Sequence, residues 1–126
     1  MAANPKTPIP LSVHEIENVL AFRTPVGAVE IPAGQNKHLG TIDTSRFDKI
    51  RLVTDERIGS TANIVLRLTI MEGDELVAQL DTVMLTPHAQ LTRVYDVPAT
   101  KIGIYADSVG PAGSRAGIDV LVYGQY

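Results

Sequence analysis

Few residues in this 126-residue chain could carry chemistry, and their spacing argues against most of it. His14, His38 and His88 are the only histidines, and none has a second histidine or a carboxylate at a metal-binding spacing. An H-x-H pair with a nearby glutamate, which would gather ligands at a barrel mouth, does not occur. Carboxylates cluster at Asp55-Glu56 and at Glu72, Asp74 and Glu75, and paired acids of this kind can hydrolyse glycosidic bonds. Both clusters fall in expected turns, where acidic side chains stay hydrated and cap backbone donors, so they read as turn residues. The stretch Glu72-Gly73-Asp74-Glu75 is too short to wrap a calcium ion and lacks EF-hand spacing. No cysteine is present, which removes disulfide frameworks, thiolate zinc sites, iron–sulfur clusters and thiol nucleophiles. Nucleophile elbows, Walker A loops and dinucleotide fingerprints are missing too. The expectation is a protein that is not an enzyme, with no catalytic residue, no metal and no cofactor.

Charge and composition narrow the partners. With 11 Lys+Arg against 14 Asp+Glu, the net charge of −3 offers no footprint for nucleic acid, and Lys6 is the only basic residue before Phe22. No apolar stretch approaches the roughly 18 residues of a membrane-spanning helix. The start Met1-Ala2-Ala3-Asn4-Pro5-Lys6 shows no secretory signal, which leaves the compartment open, with an extracellular or cell-surface location expected. Glycan recognition wants exposed aromatic platforms. There is no Trp, and Phe22, Phe47, Tyr95, Tyr105, Tyr123 and Tyr126 sit mostly in predicted strands.

The elements that must position these residues are strands. The chain is rich in Val, Ile and Thr with turn residues scattered between them, the composition of an all-β domain. Residues 1–24 read as an N-terminal arm, with Pro5, Pro8 and Pro10 favouring extended backbone, and residues 25–126 as one domain. Leu11–Phe22 fits two descriptions equally, a helix capped by Ser12 and Glu15 or an extended segment with alternating apolar residues. Eight strands are expected after it: Val26–Ile31, Leu39–Thr44, Phe47–Thr54, Asn63–Met71, Leu76–Leu80 continuing through Asp81–Leu85, Leu91–Asp96, Lys101–Ala106 and Ile118–Tyr123. Of these, Asn63–Leu80 is a hairpin with firm register, and Asp81 is a candidate bulge. A Gly- and Pro-rich loop is predicted over Asp107–Gly117. Eight antiparallel strands in about a hundred residues suit an eight-stranded β-sandwich of the jelly-roll kind best, with an immunoglobulin-like sandwich second, although the Cys and Trp marks of a true immunoglobulin domain are missing.

An extended arm of 24 residues, at roughly 3.3 Å each, reaches on the order of 80 Å, well beyond its own domain. Ile9, Leu11, Val13, Ile16, Leu20 and Phe22 are the side chains expected to insert into an edge or groove of a neighbouring subunit. Repeated head to tail, such a contact does not close and gives a filament of identical copies. The arm, strands such as Lys49-Ile50-Arg51-Leu52-Val53 and the ending Asp119-Val120-Leu121-Val122-Tyr123-Gly124 resemble the small jelly-roll subunits of endospore appendages from spore-forming bacteria. That resemblance implies a self-assembling, pilus-like extracellular fibre joined through N-terminal connectors. The best-known members cross-link their connectors through cysteines, which this chain lacks, so any fibre here is held non-covalently. The alternatives are a glycan- or protein-binding module, a closed trimer of the tumour-necrosis-factor type, and a virion coat or decoration protein.

Overall fold

Period-two alternation of apolar and polar residues carries through into the backbone. The computed structural model describes residues 18–97 and 100–126, and over them the chain forms nine strands and no helix. In chain order these are β1 (Asn18–Arg23), β2 (Glu30–Pro32), β3 (Asn36–Asp43), β4 (Lys49–Glu56), β5 (Asn63–Glu72), β6 (Glu75–Leu85), β7 (Gln90–Asp96), β8 (Lys101–Val109) and β9 (Arg115–Gln125). They make two antiparallel sheets. One runs β1-β9-β4-β7, with β2 also paired to β9, and the other runs β3-β8-β5-β6.

The sheets face each other as a sandwich, and strict alternation fills the layer between them. From the first sheet come Ile50 and Leu52 of β4 with Ile118, Val120 and Val122 of β9. From the second come Ile64, Leu66 and Leu68 of β5 with Ile102, Ile104 and Ala106 of β8. Each such burial contributes on the order of 1.5–3 kcal/mol, which is what holds two sheets together without a disulfide. No helix of the described residues is long and apolar enough to cross a membrane.

Short connections set which loops share an end. Thr44 donates its amide to the Thr100 carbonyl and Asp48 donates to Gln125, so the β3–β4 link, the β5–β6 turn and the last residues of β7 and β9 lie at one end. Asn18, the first described residue, pairs with Gln125 at that same end. The β2–β3, β4–β5, β6–β7 and β8–β9 connections lie at the other.

Several expectations need correction. Val26–Ile31 is not one strand. Pro25 and a left-handed Gly27 (φ 75°) make a turn closed by the Ala28 amide on the Pro25 carbonyl, Val26 is left 88% exposed, and pairing resumes only at Glu30. The loop predicted over Asp107–Gly117 shrinks to residues 110–114, because Asp107 to Val109 stay on the β5 ladder and Arg115 already pairs with Pro32. The β5–β6 hairpin forms as expected, but its register is not continuous. It slips twice, leaving Val77 and Leu80 without partners, the second beside the expected Asp81. Glu75 to Gln79 are exposed on both faces, so no buried row pins that half of β6. The turn itself is as expected, with Glu72 opposite Glu75 and Gly73 left-handed at φ 62°. Finally, the stretch 18–23, read as part of an arm, forms β1 on the sandwich's own β9.

Candidate functional site

A sandwich has edges, and what covers each edge decides whether another strand can add to it. Among the described residues, the open edges are β1 with β2, β3, β6 and β7. Three of them carry the devices that natural sheets use against strand addition. The β1/β2 edge is broken by the Pro25–Ala28 turn, shifts register at Ala21, and contains Pro32, which has no amide to donate. Asp119 fastens this edge down, accepting from the Gly27 amide at 3.0 Å and from Arg57 Nη1 at 3.1 Å, while Arg57 Nη2 donates to the Val29 carbonyl at 2.6 Å. The guanidinium lies across Gly117, where any Cβ would collide with it. On β3 the register shifts at Leu39, and Lys37 stands opposite the inward Ala106. β6 has its two slips.

The β7 edge differs. Its seven residues pair with β4 in unbroken register, from Lys49 opposite Asp96 to Asp55 opposite Gln90, and contain no Pro, Gly or bulge. Arg93 is the single inward charge, opposite Leu52, and it is neutralised in place. Its Nη1 donates to Asp81 Oδ2 of β6 at 2.9 Å, the Tyr95 hydroxyl donates to the same oxygen at 2.7 Å, and the Thr82 amide donates to Oδ1 at 2.8 Å. The Tyr95 hydroxyl, more than Arg93, holds the Asp81 carboxyl below its usual range, and burial followed by the Asp81 bond raises the Tyr95 phenol. This cluster closes the gap between the sheets behind β7 while leaving the outer edge of β7 free. Leu91 and Tyr95 remain half-buried on the inner side, and Val94 is exposed on the outer side. The sequence hides all this: the regularity of β7 shows only against the irregularity of the other edges.

The residues expected to insert divide between two places. Ile9, Leu11, Val13 and Ile16 lie outside the described residues. Leu20 is opposite Tyr123 on β1, 45% exposed on the outer face, and Phe22 lies opposite Val122 with its ring over Gly40 of β3.

Among the described residues, the histidines expected to matter for chemistry lie apart from one another. His14 lies outside the described residues, His38 stacks on Tyr105 with centroids 4.6 Å apart, and His88 is in the β6–β7 turn at φ 72°. Among the described residues no three of His, Asp and Glu come together as metal ligands. Tyr105 has His38 on one side and the Arg67 guanidinium 5.3 Å from its centroid, so its ring is occupied rather than presented as a sugar platform. Two surface hollows, of about 170 Å³ beside Arg57 and about 320 Å³ beside Arg67, are lined by arginines already engaged, Arg57 as described and Arg67 by both oxygens of Asp107. Asp55-Glu56 is a correction: both are in β4, not in a turn, and Glu56 is wholly buried. The inward row Ile50, Leu52, Thr54 continues one step further to reach it, a signal already visible in the sequence. Compared with known proteins, the chain matches no family model and no curated sequence.

Proposed function

We propose that this chain is a non-enzymatic structural subunit, an eight-stranded jelly roll that assembles by adding its N-terminal segment to the β7 edge of a neighbouring copy. Counting β1 and β2 as two halves of one strand along β9 gives four strands per sheet, and the order of both sheets supports a jelly roll. The observation that carries the assembly reading is the β7 edge, regular, open and backed by a satisfied polar cluster. An added strand presenting Ile9, Leu11 and Val13 inward would cover the half-buried flanks of Leu91 and Tyr95, with main-chain hydrogen bonds supplying affinity. The donor leaves one copy and the acceptor edge belongs to the next, so the contact is heterologous and the product an open filament. With no cysteine in the chain, its contacts are non-covalent.

Removing residues 2–17 leaves β1 in place and tests this directly. Negative-stain micrographs of the full chain are expected to show filaments, and the shortened chain is expected to be a folded monomer by light scattering. Filaments of unchanged length after the deletion, or a concentration-independent trimer from the full chain, would sink the proposal.

A further inference from the structure

Glu56 is the last inward position of β4 and lies in the layer between the sheets with none of its surface exposed. Neither carboxyl oxygen has a hydrogen-bond partner. Unpaired carboxylates are among the costliest groups to bury, and natural interiors avoid them. No charged side chain faces it. Its own strand presents Thr54, β9 presents Ile118 opposite, β5 presents Ile64 and β8 presents Ser108 on the same inner layer. The hydroxyls of Thr54 and Ser108 are themselves buried without partners. Of the ionisable neighbours, Arg57 and Asp119 are paired with each other and partly exposed, Asp55 alternates to the outer face, and His88 is exposed in the β6–β7 turn. The Glu56 amide is also a tie point, donating to the Ala89 carbonyl at 2.9 Å, and the next residue begins the β4–β5 connection.

We propose that Glu56 is a proton-binding site that locks this end of the sandwich: protonated, the carboxyl rests in the inner layer, and ionised, it must draw in water or leave, loosening the end of β4 and the β4–β5 connection. The chemistry is a proton equilibrium alone. Burial pushes the carboxyl up from 4.5 to about 7; the Ile64 amide is near enough to oppose this weakly but does not complete a hydrogen bond to either oxygen. The folded chain therefore holds this proton more tightly than the unfolded chain does. The stabilising contribution is complete below about pH 4.5, declines as pH rises, and is gone above about pH 7. Most surface carboxylates give the opposite slope. A shift of this size changes the folding equilibrium constant on the order of a hundredfold across that window.

The test is urea unfolding of the full chain between pH 5 and pH 8, dilute enough to be monomeric, beside Glu56→Gln, which carries no titrating proton. The wild-type chain is expected to lose on the order of a hundredfold in folding constant relative to Glu56→Gln as pH rises through this range. Amide exchange over Arg57–Ala62, corrected for its intrinsic pH dependence, should rise in the wild type and not in the variant. Parallel pH profiles for the two proteins overturn the proposal. Should Glu56→Gln not fold, carbon-13 titration of the wild-type Glu56 carboxyl decides: a midpoint near 7 supports the site, and one near 4.5 overturns it. These readouts come from the monomer, so they stand or fall separately from the assembly reading.

Discussion

Replacing Gly124 by valine is expected to cost about 3 kcal/mol of folding stability, measured as a lower urea midpoint at unchanged slope. Gly124 is an inward position of β9, between Val19 on β1 and Ile50 on β4. The Phe47 ring fills the space a side chain would take: a Cβ built on Gly124 falls 2.5 Å from two of its carbons. Phe47 is itself buried, its ring centroid lies 5.4 Å from that of Tyr126, and the Arg46 guanidinium covers it at 5.5 Å. The ring cannot withdraw without undoing those contacts, so the overlap is met by distortion of the sheet. Gly59 makes the contrast. It has a left-handed backbone at φ 95° but nothing within 4 Å, so Gly59→Ala meets only backbone strain, about 1 kcal/mol.

A larger loss, about 3–5 kcal/mol, is expected for Leu66→Ala. Leu66 is fully buried at the middle of β5, between Ala106 of β8 and Val83 of β6. The strands on both sides are held by their own ladders, so the surroundings cannot collapse into the void, and most of the cavity cost remains. Domains of this size are stable by roughly 5–15 kcal/mol, so this one truncation brings the chain near the unfolding threshold. Val26→Ala, on the exposed turn between β1 and β2, should stay within about 0.5 kcal/mol of wild type. If the Leu66 and Val26 variants had equal midpoints, the inner layer described above would be wrong.

Particular residues show how far the fold can be read ahead of its structure. The central strands were legible because their alternation is unbroken: Ile64, Leu66 and Leu68 in β5, Ile50 and Leu52 in β4, Ile102 and Ile104 in β8. The edges were not. Val26 to Ile31 has the composition of a strand, yet Pro25 and Gly27 impose a turn on it, local geometry winning over pattern. Phe22 over Gly40 and Phe47 against Gly124 are pairs far apart in the chain, and nothing local announces that each glycine makes room for its ring. Glu56 lies within reach of the alternation argument, but an acidic pair in the stretch between two strands reads as a hydrated turn. The β7 edge was out of reach altogether. Its distinction is relative, lying in bulges, prolines and an inward lysine found on the other edges.

The central claim is that the N-terminal segment of one copy completes the β7 edge of the next. Amide exchange tests it most directly, on the chain lacking residues 2–17, with and without a synthetic peptide of those residues. The account predicts that the peptide binds and slows exchange at outward-facing amides of Gln90–Asp96, with the amides of β3 and β6 unchanged. Binding that protects β3 or β6 instead, or no protection of β7 at saturating peptide, would contradict it.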